Sequence, residues 1–149
     1  MARNDTKKAS AYEYNKGLAA YNNSTNVFKW ALVTNTYASI DADATSLNLA
    51  DFTVVASAGL YVANQTIAST TWAQTGDTSA IDGTDLSFAA DGSNPTTGTC
   101  YIVYNDTSAA DDVVCITDIT TDGTTPVDTQ LGFSVAFNAG GIASVQVNV

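Results

Sequence analysis

From Val27 to Thr34 the chain reads VFKWALVT, and bulky apolar residues recur at every second position. Phe28, Trp30 and Leu32 fall on one side; Val27, Lys29, Ala31 and Val33 fall on the other. A period of two predicts a strand rather than a helix. Residues 52–55 and 59–68 read as further strands, with Tyr61, Ala63, Gln65 and Ile67 alternating against Leu60, Val62, Asn64 and Thr66. Thr71–Gln74, around Trp72, continues that run. Asp82–Gly83 marks a turn. Asp85–Ala89 forms a short strand that Asp91–Gly92 closes. Residues 35–50 read as a loop, with Leu47 and Leu49 tucked inward.

Two hairpins follow. Thr99–Tyr104 and Val113–Ile119 flank a polar turn. Folding about Thr107–Ser108 sets Ile102 near Val113 or Val114, and Cys100 near Cys115 or Ile116. A one-residue slip moves the two sulfurs to opposite faces, so a cross-strand disulfide stays open. Gly132–Asn138 and Ile142–Val149, joined by Ala139–Gly140–Gly141, form the second hairpin. Roughly seven to nine short strands separated by turn signals predict an all-β fold, an antiparallel β-sandwich or jelly roll. Residues 1–11 are polar and predict an extended N-terminal arm; residues 12–149 predict a single domain. Residues 12–21 fit one or two helical turns or a short strand, and Gly17 argues against a long helix. A chain of 149 residues buries about two-thirds of its unfolded surface without help from a metal or disulfide.

Charge changes the picture. Only 13% of residues are charged, against an ordinary share of about 25%. Arg3, Lys7, Lys8, Lys16 and Lys29 are all the cations, and they stand against Asp5 and Glu13, leaving +3 through residue 29. Thirteen Asp follow with no Lys, Arg or His. A body of that sign repels phosphate, so no nucleic-acid partner is expected. The basic segment reads as an arm that lies on an acidic protein surface, including that of a neighbouring copy; a disordered, solvated leader is the plainer alternative. The contact residues would lie in the arm and first strand: Arg3, Lys7, Lys8, Tyr12, Tyr14, Lys16 and Lys29. Deleting residues 1–16 would abolish that contact without unfolding the domain. No run of 18 apolar residues occurs, so no membrane partner is expected, and no secretory leader pattern is visible.

The absence of His removes Ser–His and Cys–His nucleophile pairs and His-based metal sites. Two carboxylates across a cleft would suit glycoside hydrolysis, but the acids sit in Asp–Gly, Asn–Asp and Asp–Asp contexts where Asp usually makes local turns. Asp41–Thr45 alternates oxygen ligands and Asp77–Asp85 clusters three Asp and a Gly; both raise a loop calcium site, without the spacing of an EF-hand. Solvated acidic loops are the plainer reading, and no cofactor is expected. Trp30, Trp72 and the Tyr residues would form either core or a sugar-stacking platform.

Tyr14–Asn15–Lys16–Gly17–Leu18–Ala19–Ala20, followed closely by Phe28–Lys29–Trp30–Ala31–Leu32–Val33–Thr34–Asn35–Thr36–Tyr37, resembles the start of a widespread family of small virion structural proteins of tailed bacteriophages. The resemblance continues in order through Ser69–Thr70–Thr71–Trp72, the hairpin Tyr101–Thr107 with Val113–Thr117, and the closing hairpin Phe133–Ile142. It covers nearly the whole chain from about residue 12. The chain departs from the pattern over residues 35–60, which lack a Gly-rich segment, and at Asp111–Asp112. The resemblance implies a non-enzymatic capsid decoration or cement protein. It would bind the phage major capsid protein and neighbouring copies of itself as a homo-oligomer, on the capsid exterior of a virion assembled in the bacterial cytoplasm. Eleven extended residues reach roughly 35 Å, enough to cross a subunit boundary. A head–tail, tail-associated or head-fibre component is the alternative within virions. A carbohydrate-binding surface module is the alternative from another class.

Overall fold

The computed structural model describes residues 6–12, 25–75, 78–138 and 141–147. Its strands are β1 (Thr6–Lys8), β2 (Phe28–Val33), β3 (Gln65–Thr66), β4 (Thr71–Thr75), β5 (Thr78–Asp82), β6 (Leu86–Phe88), β7 (Cys100–Asn105), β8 (Asp112–Asp118), β9 (Phe133–Asn138) and β10 (Gly141–Val147). They form a five-stranded sheet in the order β1-β8-β7-β2-β3, a three-stranded sheet β10-β9-β6 and the pair β4-β5. All pairings are antiparallel. The fold is all-β, as the alternation predicts.

The two sheets meet through aromatic rings. Trp30 on β2 stacks on Phe133 of β9, with centroids 6.0 Å apart and planes within 5°. Tyr61 meets the Trp30 ring edge-on at 5.9 Å, and Phe88 closes the cluster on Phe133 at 5.5 Å. Opposed residues of an antiparallel pair share a face. Leu32, Tyr101 and Val103 therefore lie on the Trp30 face, while Ala31, Val33, Ile102 and Ile116 lie on the other. That second face is also covered. Segment 47–55 starts on one edge of the sheet and ends on the other, crossing beneath it. Val113 N–H donates to the Leu47 carbonyl and Leu49 N–H to the Asp111 carbonyl. At the far edge Thr34 and Val55 bond Thr53 and Leu32. All six residues of β7 are buried as a result.

Both outer edges of the central strands are closed. β1 and residues 47–49 line β8. β3, residues 53–55 and one side chain line β2: the Leu32 N–H, left between the two segments, donates to the Tyr61 hydroxyl at 2.9 Å. The edges left to this sheet are the short polar strands β1 and β3, which make poor templates for another chain.

Several expectations change. Leu60–Asn64 is not a strand. Ala58 and Tyr61 close a tight turn, with Gly59 at φ 57° and Asn64 at φ 59°, and left-handed backbone breaks a ladder. The first hairpin is shifted, so that Ile102 faces Ile116 and Cys100 faces Asp118. Two successive turns, Asn105–Ser108 and Ser108–Asp111, move its centre along the chain, and a bulge follows Val103. Cys115 faces Val103, which puts it on the opposite side of the sheet from Cys100. Both thiols are buried and free, so the disulfide left open by the sequence does not form.

The arm expected over residues 1–11 is, in its described part, an integral edge strand. Thr6, Lys7 and Lys8 pair with Thr117, Ile116 and Cys115. Ala9 and Tyr12 are 0% and 1% exposed. Edge strands tolerate polar sequences such as TKK because only their backbone must pair.

Candidate functional site

Of the basic residues singled out by the sequence, Lys7 and Lys29 are committed within the chain. The Lys7 ammonium donates to the carbonyls of Tyr37 (2.9 Å) and Ile40 (3.2 Å) and sits 4.3 Å from the Tyr37 ring centroid. It staples residues 37–40 to the sheet. Lys29 pairs with Asp106 at 2.8 Å. Tyr12 is core, and Lys8 is exposed. Arg3, Tyr14 and Lys16 lie outside the described residues. Lys7, Tyr12 and Lys29 thus serve the fold first. Removing residues 6–12 would take a strand and two buried side chains with it, contrary to a detachable arm.

The acids behave as turn chemistry. Asp41 accepts from the Asp43 amide at 3.0 Å, and Asp43 accepts from the Ser10 hydroxyl at 2.6 Å. Among the described residues no group of three metal-ligating side chains converges; Asp77 of the second acidic stretch lies outside them. The Thr125 hydroxyl and the amides of Thr125 and Thr124 hold Asp122 well below the usual carboxylate range. Asp118 is buried opposite Cys100, and its Oδ1 accepts from the Thr120 amide (2.8 Å) and hydroxyl (2.7 Å). Burial, with the Asp118 charge adding to it, pushes the Cys100 thiol up to about 12. Burial does the same to Cys115, also to about 12. Both remain neutral thiols at physiological pH, and a neutral thiol is a poor nucleophile. Trp30 belongs to the inter-sheet cluster rather than to a platform. No helix among the described residues is long and apolar enough to cross a membrane.

One assembled region has no counterpart in the sequence pattern. The turn 58–61, the loop 89–95 and the turn 129–132 meet around Asn94, which is buried. The Leu60 N–H donates to Asn94 Oδ1 at 2.8 Å. The Asn94 amide donates to the carbonyls of Ala89 (2.9 Å) and Thr129 (3.1 Å). Asp91 N–H bonds the Gln130 carbonyl and Gly132 N–H bonds the Thr129 carbonyl. Gly59 lies so close that a Cβ there would stand 2.6 Å from Asn94 Oδ1 and 2.8 Å from its backbone nitrogen. These fixed turns carry Leu60, Val62 and Leu131, which are 50%, 56% and 60% exposed. Asn94–Pro95 signals only a turn in the sequence; its long-range partners are what make it a hub. No family model, curated protein or solved structure matches the chain.

Proposed function

We propose that the protein is a non-enzymatic virion structural protein of a tailed phage, a capsid decoration or cement protein built as a β-sandwich. The reading is carried by the ordered run of motifs from Tyr14 to Ile142. Three physical features support it. The large sheet ends in short polar strands, β1 and β3, and short polar edges disfavour edge-to-edge aggregation when many copies sit side by side. Internal use of Lys7 and Lys29 leaves a predominantly acidic exterior, which limits sticking between particles. The aromatic contact between the five-stranded and three-stranded sheets supports the sandwich reading. Many copies bound to an assembled shell would stabilise it by mass action, because opening the lattice requires losing them.

Copy number in purified particles tests this. Quantitative mass spectrometry should find the chain in hundreds of copies, in simple ratio to the major capsid protein. About a dozen copies or fewer would indicate a neck or tail ring. Absence from particles would end the virion reading.

A further inference from the structure

We infer that the end of the molecule built by the turns 58–61 and 129–132 is a docking surface for a protein partner that offers apolar sockets bordered by Lys or Arg. The anchors are Leu60, Val62 and Leu131, three of the four large apolar side chains that are exposed among the described residues. Rigid presentation makes them suitable anchors, because little freedom is lost on binding. Leu60 is fixed through its own amide to the buried Asn94, which also holds Thr129, two residues before Leu131.

The rim sets the sign of the partner. Asp91 and Asp128 flank Leu131, since Asp91 N–H bonds the Gln130 carbonyl and the Asp128 carboxylate accepts from the Gln130 amide at 2.9 Å. Asp91 Oδ1 accepts from the Ser93 amide at 2.7 Å. Both carboxylates are therefore fixed in the turns around Gln130, the chain neighbour of Leu131. A second copy is a poor occupant. The chain carries −10 overall, and among its described cations Lys7 and Lys29 are already bound while Lys8 alone is exposed. A basic surface complements this rim, and charge complementarity favours encounter as well as register.

The inference does not depend on the virion reading, and its test uses a probe of stated chemistry. An amphipathic peptide of Lys and Leu is titrated into the full chain and into the double variant L60S/L131S, with melting temperature as the folding control. The full chain should bind, and the variant should bind at least about tenfold more weakly with unchanged melting. D91N/D128N, which keeps an acceptor oxygen in each turn, should reduce the salt dependence of binding while leaving the leucine contribution. Equal binding by the full chain and L60S/L131S would overturn the proposal, as would no binding by the full chain. Dimerisation of the full chain abolished by Leu131→Ser would overturn it in favour of a second copy. Loss of the protein from particles would sink the virion reading and leave this result standing.

Discussion

At the Asn105–Asp112 end the central sheet closes on a short polar turn; towards its Cys100–Asp118 end it meets loops that gather around one buried amide. The first closure combines bonds inside the turn with separate links to distant segments, such as Val27 N–H to the Thr107 hydroxyl. Asn105 and Ser108 bond neighbours within four residues, and a half-buried ion pair, Lys29–Asp106, ties the turn to β2. The second joins residues 34 and 35 positions apart through Asn94. Separate bonds can be altered one at a time. A hub cannot, because the same side chain orients several segments. The hub end is also the one that presents leucines to solvent, so order there serves display as well as folding.

What the two ends share is the sheet between them, and alkali should produce the largest effect by attacking it. Burial raises Cys100 and Cys115 to about 12 and Tyr61 to about 12; it pushes Tyr101 and Tyr104 higher still. In the unfolded chain thiols and phenols ionise near 9 and 10. The folded state therefore holds these protons more tightly. Its stability is complete below pH 9 and is lost as pH climbs towards 12, at about 1.4 kcal/mol per group for each pH unit. Denaturant midpoints followed by Trp fluorescence from pH 8 to 11 should fall steeply. A flat profile to pH 11 would mean that the sheet opens locally without global unfolding.

Gly59→Ala should come next, and it separates the two ends. The added Cβ would meet backbone atoms of Ser93 and Asn94 within 3 Å, and the φ of 57° is costly for a residue with a side chain. Overpacking and backbone strain together predict a loss of about 2–5 kcal/mol. Gly92→Ala, in the adjoining loop, meets nothing within 4 Å and should change stability by no more than about 0.5 kcal/mol. Similar losses for both would show that the hub is not rigid. Tyr61→Phe should cost about 1–3 kcal/mol, because the Leu32 amide loses its acceptor in a buried edge. Hydrogen exchange at Leu32 should accelerate in that variant, and an unchanged rate would mean another acceptor takes over.

The strands that alternate cleanly are legible in the sequence alone. Phe28–Val33, Cys100–Asn105 and Phe133–Asn138 lie at their predicted places because packing on β-sheet faces imposes the period itself. The cover on the second face is not legible in that way. Residues 35–50 read as a loop, and nothing local says that residues 47–55 cross under a sheet. Thr6–Lys8 escapes notice as a strand for the opposite reason: an edge strand needs backbone partners, not apolar alternation. The same limit governs the functional residues. The concentration of cations in the first 29 positions is plain in the sequence. That Lys7 closes on the Tyr37 and Ile40 carbonyls depends on where a distant segment folds.

Lys29→Ala should give the smallest effect and so sharpens the contrast between the ends. Its ammonium is 2.8 Å from Asp106, but the two side chains are 27% and 32% exposed. Water screens such a pair, and holding a long side chain in place costs entropy, so the net contribution is about 0.2–1 kcal/mol. It should shrink further in 1 M salt, where the screening length is only about 3 Å. The Tyr61–Leu32 bond, neutral and buried, should be indifferent to the same salt. Measuring Lys29→Ala and Tyr61→Phe side by side at low and high salt asks whether charge or burial closes this sheet. If Lys29→Ala costs more than Tyr61→Phe at high salt, the polar end rests on packing of the lysine stem against β2 and its neighbours, and the ion pair is incidental.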